Sequence, residues 1–522
     1  MLTRTLLDAH SILDAGLVGG GLLWRPKPFH DHRVAWRVTH PGLHRKILSL
    51  DDAELAEVQH NQRALHELVG EYEPSFAPMS HVSREIDAEA QASFNPSASL
   101  RKSDSRAHIG VPGKKWRQIS AFASAMPKRR IPAVEWCSGK GYLSLQLLGQ
   151  EAATSSICLE ISPTLCATGQ QLASEAGLPL TYRVADVLSL ADEDLPYLVG
   201  SGPALHVALH ACGGLHRRMV RGAVAARAAH VAVAPCCFHK HPPQGDGAAP
   251  AQLLSARAAR ASQLVISWEE LRLASASGFA AKRRDENLRT REITWRLAFA
   301  AWHRRVHAHV HGGNRDAPLV SPNLDSIRGS SHATNLDSSG LECDDIRCDR
   351  SEWDREDLRR CEDDDDGRGD GDDRARDGAY GASVEGSFGP GAVRLPSVPK
   401  LLLSQGDSTR HTVDGFRAFC KWAVSAPGKS ASSRAWLALA LEEHLTKREA
   451  SLCLELGAAQ AARLARLELV RHAYQRPLEQ WLCLDVALYL EESGYSAEVR
   501  QLCERSVSPR NLLVCGERLD NL

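Results

Sequence analysis

Short apolar runs recur between Ala133 and Phe238, namely AVEWC, SSICLE, LTYRVA, ALHVALH and HVAVAPCCF, spaced by helix-length segments or long connections. Strand-forming runs that alternate with helix-length segments predict a parallel sheet with crossover helices. Upstream, residues 51–69 (DDAELAEVQHNQRALHELV) start acidic and repeat apolar side chains every three to four positions, which predicts one amphipathic helix. Beyond Pro242 the chain turns Ala- and Arg-rich and reads as helical, then as a strand pair around Ala261–Trp302. Residues 477–492 (PLEQWLCLDVALYLEE) predict a helix with Gly494 as its C-terminal cap. AEVRQLCE and NLLVCGERL follow, joined through the turn-forming SVSPR, and predict an antiparallel hairpin added to the sheet. No solenoid repeat interrupts this order.

From about His311 to Pro390 the apolar periodicity vanishes into Ser, Gly and Asp, including CEDDDDGRGDGDDRARDG. Such a segment buries too little apolar surface to offset its ordering entropy, so it is expected to be disordered. The boundaries that result are an N-terminal accessory region (1–110), a core (111–242), a helical and strand insertion (243–310), a disordered acidic insertion (311–392) and a C-terminal part (393–522) that completes the core domain. The length of 522 residues suits roughly three domains or one with insertions.

Charge refines the picture. The chain carries 63 Lys and Arg against 64 Asp and Glu, a net of −1, but Leu341–Gly378 alone holds 17 acidic and 8 basic residues. The remainder is therefore mildly basic. Nine of its basic residues lie between Arg101 and Arg130, around Trp116, which suits either an anionic partner or a solvated helix face. No apolar run reaches the roughly 18 residues of a membrane span, and Asp8 and Asp14 interrupt what would be a secretory signal core. Fourteen scattered cysteines without a compact framework suit a reducing compartment, so the cytoplasm is expected.

The strongest chemical signal is Ala133-Val134-Glu135-Trp136-Cys137-Ser138-Gly139-Lys140-Gly141-Tyr142-Leu143, a strand running into a glycine turn and then a helix from near Tyr142. Glycines there allow close approach of a ligand to the backbone, and a helix start offers N–H groups to an anion. Glu160 ends the next strand, where a carboxylate can accept both ribose hydroxyls, and Asp186 ends the third. A phosphate-binding P-loop needs Ser or Thr after its Lys, but Gly141 follows Lys140. A dinucleotide fingerprint needs Gly where Ser144 stands, so it matches only in part. Glu135, Gly139, Gly141, Glu160 and Asp186 supply, in order, what an S-adenosylmethionine site uses.

Strands four and five end in Leu209-His210-Ala211-Cys212-Gly213 and Pro235-Cys236-Cys237-Phe238-His239. In a doubly wound sheet these ends share the cofactor crevice. Three accounts stay open: structural cysteines and histidines; a zinc site, although C-C-x-H lacks the C-x-x-C spacing; or a cysteine nucleophile assisted by His239 and Lys240, with His210 as general base. The catalytic candidates are thus His210, Cys236 and Cys237, and no metal ligand is assigned.

With the loop E-W-C-S-G-K-G-Y and the motifs V-A-L-H-A-C-G and A-P-C-C-F-H, the sequence resembles S-adenosylmethionine-dependent methyltransferases. The group in question includes the methyltransferase domain of the glutathione-S-transferase C-terminal-domain-containing protein. The resemblance is clearest over residues 110–240 and extends through PGKKWRQI, RTREITWRLAF, LPSVPK and SPRNLLV, while the acidic insertion has no counterpart. It implies a Rossmann-like class I fold, a mostly parallel doubly wound sheet with an antiparallel C-terminal strand. It also implies that Gly139 and Gly141 lie under the methionine moiety, Glu160 holds the ribose and Asp186 faces the adenine. Cys137 stands where many relatives have Gly, at the first position of the turn, and is counted with Glu135 and His210 among the cofactor-binding residues. Strand four lacks the Asn/Asp-Pro-Pro-Tyr motif of amino-group methyltransferases. The resemblance names a reaction class and no acceptor; the basic stretch around Lys114 and Arg130 favours RNA over protein. The competing expectation is a non-catalytic cofactor- or zinc-binding scaffold built on the same strand ends.

Overall fold

Seven strands form one sheet in the computed structural model, which describes residues 4–28, 34–92, 111, 113–191, 194–200, 202–242, 250–276, 283–311, 412–425 and 431–521. They are β1 (Ile131–Trp136), β2 (Ala153–Glu160), β3 (Leu180–Val184), β4 (Leu205–Ala208), β5 (His230–Val233), β6 (Tyr495–Gln501) and β7 (Leu512–Arg518), in the order β3-β2-β1-β4-β5-β7-β6. β1 to β5 run parallel, and β7 pairs antiparallel with both β5 and β6. The sheet is the mostly parallel, Rossmann-like one the sequence predicts, with the C-terminal hairpin inserted so that β7 touches β5.

Every residue of β4 and β5 is buried, as expected of central parallel strands covered on both faces, whereas the edge strand β3 is largely exposed. Ala133, Leu205, Val207, Ala232, Leu513 and Cys515 share one core with Ile119, Phe122, Leu143 and Leu147 from the helices Gly113–Ala125 and Tyr142–Gly149. The alternate residues face the other way. There Trp136 lies against Gly222 of the helix Gly214–Ala225, where a Cβ would sit 2.6 Å from its ring, and its indole N–H donates to His206 Nδ1 at 3.3 Å.

Two compact units divide the chain: Met1–Arg25, Glu57–Ala280 and Val470–Leu522 form the first, and Pro26–Ala56 with Ala281–Leu469 the second. In the first, the helix Leu6–Gly19 packs on Gln475–Glu492, the helix that Gly494 (φ 86°) follows as foreseen. Asp14 anchors that contact, accepting from the Trp481 indole at 3.2 Å, the Gln263 N–H at 2.9 Å and the Ser262 hydroxyl. The second unit has its own core of Trp295, Phe299, Trp302, Phe416, Phe419 and Leu437, with an Arg305–Glu449 ion pair at 2.7 Å.

Two local expectations fail. The helix foreseen over 51–69 is two helices, Asp52–His60 and Gln62–Gly70, because the Asn61 side chain accepts the N–H groups of Arg63 and Ala64 and starts a new helix. The strand pair foreseen around 261–302 is instead a 3-10 turn (Glu270–Ser275) and a long helix (Arg283–His311). The buried Trp295, Phe299, Trp302 and Val306 recur at three and four residues, a helical spacing that the β-forming composition of ITWRLAF obscures. Apart from His311, the expected disordered insertion 311–392 lies outside the described residues. Among those described, no helix is long and apolar enough to cross a membrane.

Candidate functional site

The turn after β1 brings Cys137 through Gly141 to the C-terminal ends of β1 and β2. Cys137 (φ 55°), Gly139 (φ 55°) and Gly141 (φ 69°) all occupy the left-handed region, which accounts for glycine being the easier residue at the first of these positions. The two glycines serve different ends. A Cβ on Gly141 would stand 2.5 Å from the hydroxyl of Tyr182, which donates to the Gly139 carbonyl at 3.2 Å from β3. A Cβ on Gly139 would meet nothing within 4 Å, so the space before it is open. Sequence spacing suggested close ligand approach for both; at Gly141 the close neighbour is the protein itself.

Glu160 closes this arrangement. Its carboxylate accepts the Gly139 N–H at 2.9 Å and the Ser162 N–H at 3.0 Å, so the acid ending β2 and the turn ending β1 are in direct contact. β3 pairs in register beside it, with Val184 opposite Glu160. Asp186 lies two residues past β3, exposed, with Oδ1 accepting the Leu188 N–H at 3.1 Å. Ile161 (62 % exposed), Val184 and Leu188 are uncovered apolar side chains at these same strand ends. They escape a sequence reading because a lone Ile or Val at a strand end carries no sign of its exposure.

Glu135 behaves differently. It is buried, with Oε2 accepting the Ser144 N–H at 2.8 Å, so it satisfies the first turn of the helix Tyr142–Gly149 from inside. Burial pushes its carboxyl up to about 7, against the lowering effect of its hydrogen bonds from Ser144. Ser144, where a dinucleotide site has glycine, is fully buried and shares a hydroxyl hydrogen bond of 2.7 Å with Ser156 of β2. The open space and acceptor groups of Gly139 and Glu160, flanked by exposed apolar residues, fit a cationic nucleoside with a free ribose.

On the other side of β1, the ends of β4 and β5 stay paired beyond the strands through a parallel bridge between Cys212 and Cys236. The sulfurs of Cys212, Cys236 and Cys237 all lie within 4.8 Å of one another, the first two 3.2 Å apart. Hydrogen bonds from the Cys236 and Cys237 thiols lower Cys212 below the usual thiol range, with Lys240 and Arg510 adding to the effect, while Cys236 is raised well above that range. The environment thus favours ionisation of Cys212 over that of Cys236, one of the two cysteines expected as nucleophiles. Cys137 is pushed up to about 12 by burial, and then by Glu160, Cys212 and Glu135. His210, two residues past β4, is exposed, whereas His239 is buried.

The motif glycine Gly213 locks the two ends together. Its N–H donates to the Cys236 carbonyl at 3.1 Å, that of Gly214 to the Lys240 carbonyl at 3.0 Å, and that of Lys240 to the Cys237 carbonyl at 2.9 Å. A side chain at Gly213 would overlap the Lys240 carbonyl. The motifs V-A-L-H-A-C-G and A-P-C-C-F-H are thus two halves of one interlocked corner; the sequence places both at neighbouring strand ends, and the backbone hydrogen bonds that join them come from β4–β5 pairing.

No curated protein matches the chain. Residues 114–243, about a quarter of the chain and the stretch that contains β1 to β5, match the family model described as a methyltransferase domain.

Proposed function

We propose that the chain is an S-adenosylmethionine-dependent methyltransferase whose acceptor is RNA in preference to protein. The observation that carries this reading is the contact of Glu160 with the Gly139 N–H, which joins an acceptor carboxylate to an open glycine turn at adjacent strand ends. When bound, the cofactor supplies an electrophilic methyl group on a sulfonium. Glu160 accepts the ribose hydroxyls, Asp186 with Ile161 and Val184 borders the purine, and Gly139 leaves room for the methionine moiety. Glu135 acts through the helix start and holds the turn in shape. His210 takes a proton from an acceptor that carries one at the reacting atom, and orientation of the two reactants supplies most of the acceleration.

The distinctive strand-four and strand-five motifs support the narrower grouping with the glutathione-S-transferase C-terminal-domain-containing protein. The exposed Lys128, Arg129 and Arg130 support an anionic acceptor, although Arg129 and Arg130 also pair with Glu517 and Glu151. Scattered thiols support a reducing, cytoplasmic setting.

Calorimetry with S-adenosylmethionine and transfer of tritiated methyl into fractionated RNA and protein test the proposal. Glu160→Ala is expected to weaken cofactor binding at least tenfold, the loss of about 1.4 kcal/mol or more from charged hydrogen bonds. Absence of cofactor binding by the wild-type protein overturns it. RNA binding that stays flat between low and physiological salt removes the preference for RNA.

A further inference from the structure

The three-thiol corner at the ends of β4 and β5 has a geometry that burial of cysteine as a small apolar residue does not require. Cys237 adopts φ 42°, a conformation unfavourable to a residue with a Cβ, and its thiol joins those of Cys212 and Cys236. A disulfide between Cys212 and Cys236 would engage two of these sulfurs and leave the third, with its strained backbone, without a purpose. Tetrahedral thiolates around zinc, at bonds of about 2.3 Å, stand roughly 3.8 Å from one another. The three sulfurs fall within that scale, with the closest pair at 3.2 Å and all of them inside 4.8 Å.

We propose that Cys212, Cys236 and Cys237 together bind one thiophilic divalent metal ion, zinc by preference. The thiols among the three that still carry a proton lose it to solvent as three metal–sulfur bonds form. The resulting centre carries one net negative charge, and Lys240, itself buried, with Arg510 supplies positive charge beside Cys212. Among the described residues no fourth His, Cys, Asp or Glu atom joins the group, so a water molecule or a small ligand fills the fourth position. Three protein ligands and one exchangeable site is the arrangement of reactive rather than purely structural zinc. The corner stands at the C-terminal ends of β4 and β5, the same edge of the sheet as the glycine turn.

Titration of the full-length, reduced protein with cobalt(II) under anaerobic conditions tests this without reference to methyl transfer. One cobalt per chain with thiolate-to-metal charge-transfer absorption, displaced by zinc, is expected. Cys237→Ser is expected to lose about one third of that absorption or to lose binding, whereas Cys453→Ser, in the second unit, keeps all of it. A folded wild-type protein without the charge-transfer band, or an undiminished band in Cys237→Ser, overturns the proposal. The wild-type titration decides the matter even where a serine variant fails to fold.

Discussion

Glu135 illustrates how one buried side chain sets a pH dependence. Its carboxyl is raised by burial to about 7 in the folded protein, against 4.5 for the free group. Between those values the unfolded chain releases its proton while the folded one retains it, so stability falls as pH rises from 4.5 to 7 and is flat above. The whole effect is roughly 3 kcal/mol. Glu135→Gln keeps an acceptor for the Ser144 N–H and removes the ionisation. Thermal melts of the variant are expected to exceed wild type at pH 8 and to match it near pH 4.5; an equal difference at both values refutes the assignment. That Glu160 and the Gly139 turn end neighbouring strands is legible in the sequence because both follow apolar strand-forming runs. The contact of Tyr182 is not, since nothing in LTYRVA announces that its hydroxyl crosses from β3 to the turn.

At the scale of elements, the corner joining β4 to β5 is the most constrained connection in the site. Gly213 adopts φ 52° and ψ −120°, a conformation that only glycine visits readily, and its missing Cβ admits the Lys240 carbonyl. Gly213→Ala is expected to cost about 3 kcal/mol or more and to separate Cys212 from Cys236, read as a lowered melting temperature with loss of the cobalt band. The central strands β1, β4 and β5 are legible because buried strands read as continuous apolar runs with helices between them, and the exposed edge strand β3 by its β-forming Thr181, Tyr182 and Val184. The helix Arg283–His311 was misread because Ile293, Thr294 and Trp295 have the composition of a strand, and the three-to-four spacing of its buried residues extends beyond that short window.

Across the whole molecule, the residues that match the methyltransferase model stop short of a complete sheet, because β6 and β7 come from the end of the chain. A fragment of residues 111–242 leaves the β5 edge without β7, and it is expected to show no cooperative unfolding transition by circular dichroism. In the first unit, burial also lowers His10, His66, His206, His216 and His230, each to about 3 or 4. Below pH 6.5 the unfolded chain binds protons that the folded unit refuses. Stability therefore drops as pH falls from 6.5 towards 4, by about 1.4 kcal/mol per unit for each such histidine. Denaturant midpoints measured at pH 7 and pH 5 check this; the midpoint at pH 5 is expected to be clearly lower.

The position of β7 between β5 and β6 also bears on how the protein is made. Ribosomes add about 5–20 residues each second, so tens of seconds separate the emergence of β5 from that of its antiparallel neighbour. Throughout that interval the nascent sheet presents a bare row of peptide groups along β5, open to illegitimate pairing. The last thirty or so residues of this chain, which carry β6 and β7, are thus what closes that row.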